Sequence, residues 1–211
     1  MSHLLLDTQA QMNAAIAHLS APDAEPVMAE LVARFGPLHL SRSDDYFSTL
    51  VESIASQQLS SKVADTITKR IRALMGDNER IQVASVLAVP DQALRDAGLS
   101  WGKVRYVKDL AQKVADGEVH LESISQMNND DAVAELVKVK GIGRWTAEMF
   151  LMFSLARPDV LAVGDYGLQS AIRRLYSLAD LPKPAKMQEL AEPWRPFRSY
   201  ASLYLWRALG V

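Results

Sequence analysis

The sequence predicts an all-α fold of about ten helices joined by short loops and gathered into two lobes. Three observations predict it. Apolar residues recur at helical spacing along most of the chain, and caps with Gly or Pro stops punctuate them at helix-length intervals. No β-branched run alternates with period two between hairpin turns. With 211 residues, 49% of them hydrophobic, the chain can build one large domain or two modest lobes.

The elements follow in order. Leu4–Leu19 carries apolar residues at near-helical spacing and ends at Ser20-Ala21-Pro22. Asp23 is the candidate N-cap of a second helix, with Pro26 in its first turn, and Gly36-Pro37 stops it after Phe35. Ser43 or Asp44 caps a third, from Tyr46 to about Gln58, and Leu59-Ser60-Ser61 interrupts it. Ser60 or Ser61 then caps a fourth, ending near Met75-Gly76. Short helical pieces follow at Val83–Leu87 and Asp91–Ala97, and Gly98-Leu99-Ser100 leads into Lys103–Val114. Asp130–Val137 and Arg144–Leu155 flank a glycine turn. Gly167–Tyr176, a loop at Lys183-Pro184, and Arg195–Leu209 complete the chain.

Composition narrows the function. There is no cysteine, which excludes disulfides, zinc–thiolate sites and cysteine-ligated iron–sulfur clusters, and fits a reducing compartment. His3, His18, His39 and His120 lack ligand spacing, so no catalytic metal is argued. No apolar run reaches the roughly 18 residues of a membrane span. Met1–Ser20 has acidic Asp7 and no basic n-region, so it does not read as a secretory signal. A net charge of −2 argues against electrostatic coating of nucleic acid. Basic residues nevertheless cluster locally, at Lys138, Lys140 and Arg144, and again at Lys62, Lys69, Arg70 and Arg72.

The turn between the two late helices is the strongest local signal. Lys138-Val139-Lys140-Gly141-Ile142-Gly143 separates them, and Arg144-Trp145-Thr146 opens the second at once. Two glycines permit a sharp turn and close approach by a partner. The unpaired N–H groups and positive dipole end of the following helix suit a phosphate. Twenty-odd residues on, in Val163-Gly164-Asp165-Tyr166-Gly167, Asp165 reads on spacing alone as an N-cap.

These strings resemble the helix-hairpin-helix superfamily of DNA base-excision glycosylases, and within it the 3-methyladenine DNA glycosylase II (alkylbase glycosylase) branch. Three further segments agree in order: Glu52-Ser53-Ile54-Ala55-Ser56-Gln57-Gln58-Leu59-Ser60, then Gly98-Leu99-Ser100-x-x-Lys103-x-x-Tyr106, then Trp194-Arg195-Pro196-Phe197-Arg198-Ser199-Tyr200-Ala201. The resemblance covers about residues 43–209. It implies one glycosylase domain over 1–211, with lobe A formed by 1–42 and 160–211, lobe B by 43–159, the hairpin at 130–155, and a cleft between the lobes. Longer relatives add an N-terminal β-rich domain, so a compact form is expected.

The resemblance also assigns roles. Asp165 is implied as the catalytic carboxylate, a role compatible with capping; Asp159 is an alternative in a loop. Trp145, Trp206 and Tyr46 are candidates for the base pocket. Gln57, Gln58 and Leu59 would enter the minor groove, with Gln58 as the wedge, or be an exposed polar turn. Lys140, Gly141, Ile142, Gly143, Arg144 and Thr146 would hold the DNA backbone; Lys103 is either a further phosphate contact or a surface lysine. A monovalent cation, Na⁺ or K⁺, is implied at the carbonyls of Val137, Val139 and Ile142, with no other cofactor and no iron–sulfur cluster. Bifunctional relatives carry a nucleophilic lysine where this chain has Trp145, so hydrolysis without strand cleavage is expected. The implied substrate is double-stranded DNA with alkylated bases such as 3-methyladenine or 7-methylguanine. The expected setting is a monomer in the cytoplasm or nucleoid, away from membranes. The rival function is a non-catalytic helix-hairpin-helix module that only tethers DNA.

Overall fold

The computed structural model describes residues 2–76 and 80–210. Among them the chain forms α1 (Ser2–Leu19), α2 (Pro26–Phe35), α3 (Tyr46–Ser56), α4 (Ser61–Leu74), α5 (Val83–Ala88), α6 (Asp91–Asp96) and α7 (Trp101–Ala115). After a 3₁₀ turn at Ile124–Gln126 come α8 (Asn129–Leu136), α9 (Arg144–Phe153), α10 (Tyr166–Leu175) and α11 (Pro184–Leu190). A second 3₁₀ turn, Glu192–Trp194, precedes α12 (Arg198–Leu209). The described residues contain no strand, as an all-α protein requires, and none of their helices is long and apolar enough to cross a membrane.

Several boundaries differ from those read in the sequence, for local reasons. Pro26 fixes the first helical position of α2, so Glu25 becomes the cap in place of Asp23; its carboxylate accepts the amides of Val27 (3.2 Å) and Met28 (3.0 Å). Asp45, not Ser43 or Asp44, caps α3 through the Ser48 amide at 3.2 Å, while Ser43 Oγ accepts the Asp45 amide one step earlier. Lys183-Pro184 begins a helix where a loop was expected, because proline is already shaped for the first helical position. α3 stops at Ser56, leaving Gln57 and Gln58 in the turn instead of in the helix.

The chain divides into two compact units, one combining the residues up to Arg42 with those from Leu151 onward, the other being Ser43–Phe150. The second crossing thus falls inside α9, ahead of the crossing after residue 159 read from the sequence. In the first unit α12 packs on α1, α2 and α10. Tyr200 and Tyr204 are wholly buried, and their hydroxyls donate to Gln11 Oε1 (3.0 Å) and the Gly36 carbonyl (2.9 Å), so neither polar tip is stranded.

In the second unit α7 packs on α3, α5 and α6. Its inner face, Val104, Val107, Leu110 and Ala111, is fully buried. Each large apolar side chain buried this way contributes about 1.5–3 kcal/mol. Lys103, Tyr106, Asp109 and Lys113 recur along another stripe of the same helix at helical spacing. That stripe positions the features described next.

Candidate nucleic-acid interface and catalytic carboxylate

Lys103 lies one turn into α7, whose N-terminus is capped by Ser100 through the Lys103 amide at 3.2 Å. Its ammonium donates to the carbonyls of Ala55 (2.8 Å) and Gln57 (2.6 Å). These belong to the last turn of α3 and the residue beyond it, where helical carbonyls lose their own partners. Burial lowers the Lys103 pKa below the ordinary lysine value. Beyond this tether Gln57 leaves the helix at φ −48° and ψ 133°, and Gln58 turns left-handed at φ +58°. For a non-glycine residue that conformation costs on the order of 1–3 kcal/mol. Gln58 and Leu59 are exposed there.

The hairpin turn rests on the next residues of the stripe. Leu136, Val139 and Ile142 anchor it from below, all buried. Gly141 has φ +84°, and a Cβ added to it would stand 2.2 Å from the Tyr106 ring, so only glycine fits. Asp109 Oδ2 accepts the Lys140 amide at 2.8 Å, and the carboxylate pairs with the ammonium groups of Lys113 (3.3 Å) and Lys140 (3.6 Å). Burial works to raise the Asp109 pKa, but the Lys140 amide and the two ammonium groups outweigh it and hold it below the ordinary aspartate value. Lys113 also donates to the Lys138 carbonyl, and Gln57 Nε2 donates to the Gly141 carbonyl at 2.9 Å.

This arrangement selects among the hairpin amides. Lys140 N–H is taken by Asp109 and Ile142 N–H by the Val139 carbonyl at 3.1 Å. Among the described residues the amides of Gly141 and Gly143 have no protein partner. A Cβ added at Gly143 would meet nothing within 4 Å. Lys140 and Arg144 are exposed beside the turn, although Arg144 is also paired with Glu148 at 2.9 Å. Thr146 is buried.

A cavity of about 550 Å³ opens between the Gln57–Leu59 turn and the start of α9. Trp145, Met149, Thr146, Ser53 and Ser56 line it together with Gln57, Gln58, Leu59 and Gly141, and among the described residues no charged side chain does. Trp145 is 48% exposed, an unusual state for so large an aromatic side chain. The sequence-predicted Trp145 and Gln57–Leu59 are thus brought together. Tyr46 is not among them: it packs edge-on against Phe150 at 5.7 Å and lines a different opening with Asp44 and Arg80.

The first unit holds the carboxylate. Asp165 caps α10, and its Oδ1 accepts the Leu168 amide at 2.6 Å and Trp206 Nε1–H at 2.8 Å. Trp206 therefore fixes the carboxylate as well as presenting an indole, which lies 6.1 Å from the Phe153 ring. Gly167 makes room for this contact: a Cβ there would come within 3.2 Å of Asp165 Oδ1 and 3.4 Å of the Trp206 indole. Tyr166, next to the cap, is 71% exposed.

A family model described as HhH-GPD superfamily base excision DNA repair protein matches residues 51–196. The chain belongs to that superfamily. A Bacillus subtilis protein is 34% identical over 168 residues, 77% of this chain, and the chain spans 58% of that relative's length. The Schizosaccharomyces pombe protein named DNA-3-methyladenine glycosylase 1 is 30% identical over 192 residues, covering 90% of this chain and 84% of the relative. A solved structure of an S. pombe 3-methyladenine DNA glycosylase in complex with abasic DNA matches with a TM-score of 0.81 at 30% identity, over 93% of this chain and 97% of that one.

Within this HhH-GPD chain the alternative carboxylate has a structural occupation. Asp159 accepts Arg198 Nε (2.6 Å) and Nη2 (2.9 Å) in a two-pronged contact, and Arg195 Nη1 at 3.1 Å. From sequence Asp109 has no assigned role, and neither do Tyr106 and Gly167, which enter only as motif residues. A signal for the first two exists: with Lys103 they fall at three-residue intervals on α7, so one helix face presents all three.

Proposed function

We propose that this protein is a monofunctional DNA glycosylase, which extrudes alkylated bases such as 3-methyladenine and 7-methylguanine from duplex DNA and hydrolyses the N-glycosidic bond. The observation that carries the reading is the anchored Asp165, whose Oδ1 is held by the Leu168 amide and the Trp206 indole N–H at the head of α10. As the bond from C1′ to the base nitrogen breaks, its electron pair leaves with the base and the sugar gains oxocarbenium character. A fixed anion stabilises that charge. Water then bonds to C1′ and gives up a proton, for which the carboxylate is a base. An alkylated purine is already cationic and leaves as a neutral base, so no strong general acid is required.

Extrusion precedes the chemistry because the bond is shielded in the stacked duplex. The Gln57–Leu59 turn supplies the wedge, with Gln58 filling the vacated stack. Trp145 and Trp206 offer aromatic faces to the base, each such stack contributing about 1–3 kcal/mol, with cation–π attraction added for a charged lesion. The amides of Gly141 and Gly143, with Lys140 and Arg144 beside them, hold phosphates and position the duplex without reading its sequence. With Trp145 where a Schiff-base lysine would stand, the product is an abasic site. A sodium or potassium ion at the carbonyls of Val137, Val139 and Ile142 belongs to this proposal: neutral hard oxygens at the negative end of α8 suit such an ion, which would stiffen the turn. The protein works as a monomer on DNA inside the cell.

The deciding experiment measures base release from methylated duplex by the parental protein and by Asp165→Asn. Release by the parent, lost in the variant while duplex binding persists, supports hydrolysis by Asp165. Equal rates sink the assignment, and a parent that binds but releases nothing leaves a tethering module.

A further inference from the structure

We infer that Lys103 and the Gln57 side-chain amide are positioning residues that hold the Gln58 wedge in place, Lys103 from the α3 side and Gln57 from the hairpin side. The inference rests on the reading of Gln57–Leu59 as the wedge. It goes beyond that reading in naming what keeps the turn set before DNA arrives.

The contacts form a chain. Lys103 gathers the carbonyls of Ala55 and Gln57 at 2.8 and 2.6 Å, pinning the backbone on the N-terminal side of Gln58. Gln57 Nε2 reaches across to the Gly141 carbonyl at 2.9 Å, pinning the same residue to the phosphate-binding turn. Gly141 in turn lies against Tyr106, one helical step along α7 from Lys103. Gln58 therefore sits in its left-handed conformation with its neighbour held at both backbone and side chain. Such a conformation persists only where its surroundings over-determine it. The Lys103 ammonium is a half-buried crosslink and not a charge displayed to solvent. Charge-assisted bonds to carbonyls are about twice as strong as neutral ones, which suits a lysine to holding a turn.

The test uses full-length Lys103→Met, Lys103→Arg and Gln57→Met proteins and two duplexes, one intact and one carrying a tetrahydrofuran abasic-site analogue. Preference for the abasic duplex reports the wedge in the vacated stack. It requires no base release, so a failure here is separable from a failure of the glycosylase reading. For Lys103→Met the preference falls about tenfold, within the loss that a misplacement of about 1 Å can cause. Affinity for intact duplex and the slope of log Kd against log salt stay at parental values. Lys103→Arg, whose guanidinium can bridge the same carbonyls, recovers most of the preference. Gln57→Met leaves Lys103 in place and gives a smaller loss at the same slope; it carries the test alone if Lys103→Met does not fold. A salt slope shallower by about one with preference intact makes Lys103 a phosphate contact and overturns the inference. Unchanged preference in Lys103→Met or, where that variant does not fold, in Gln57→Met overturns it as well.

Discussion

On the proposed function, the hairpin turn and the Asp165 corner would meet DNA by different means. At the hairpin the proposed working groups are main-chain amides with the exposed Lys140 and Arg144 beside them, and Asp109, Tyr106 and Gln57 shape the turn that presents them. At the corner the proposed working group is a single carboxylate, and the main chain and Trp206 orient it. Substitution should therefore hurt the hairpin through geometry and the corner through chemistry.

The largest effect expected from that contrast is at the corner. Asp165→Asn lowers the single-turnover rate of base release about 10²–10³-fold, the size typical for losing one preorganised stabilising group. Its melting temperature stays near parental because Asn caps helices as well as Asp. A large loss of stability in this variant would break the contrast. Gly141→Ala is the hairpin's counterpart. Its positive φ and the 2.2 Å approach to Tyr106 predict a loss of about 2–4 kcal/mol in unfolding free energy by denaturant titration. Gly143→Ala sharpens the picture, since its Cβ would meet no protein atom within 4 Å. Stability holds while affinity for intact duplex weakens about fivefold, roughly the 1 kcal/mol of one hydrogen bond. Equal affinity of variant and parent across a salt titration would count against the phosphate role.

The smallest effect is in acid. Asp109 has a folded-state pKa below its ordinary value, so its contribution to stability is complete above the ordinary aspartate range and is lost as pH falls through the depressed value. Asp109→Asn keeps an acceptor for the Lys140 amide but cannot titrate. Denaturant titrations between about pH 2 and 6 should show a shallower acid decline in this variant than in the parent. An identical decline would mean that the hairpin does not draw on this charge.

The two regions were also unequally legible in the sequence. Gly141 and Gly143 between two apolar helices announce a tight turn because few residues can replace glycine there. That signal is local, and the observed turn lies between α8 and α9. Asp165 is legible only as a cap, since a capping carboxylate looks the same with or without a catalytic duty; resemblance, not spacing, supplied the second role. Lys103 was ambiguous for a related reason. A lysine in the first turn of a helix reads as surface, and its acceptors, Ala55 and Gln57, lie far away in the chain. Helical spacing alone does not separate Tyr46 from Trp145, because which aromatic lines which cavity depends on helix packing; the resemblance ranks Trp145 above Tyr46. Local capping chemistry explains the displaced caps at Glu25 and Asp45, where several carboxylates and hydroxyls compete within a few residues.

One stripe of α7 carries the supports of both turns in the second unit, Lys103 for the Gln57–Leu59 turn and Tyr106, Asp109 and Lys113 for the hairpin. That makes α7 a chassis with fixed mounting points. A single residue inserted between Lys103 and Tyr106 would rotate one set of mounts against the other by about 100° while leaving helix propensity almost untouched. Length changes should therefore be far better tolerated in the segment after Ala115 than inside this helix, because α7, together with the Gln57–Gly141 bond, sets the spacing of the two turns.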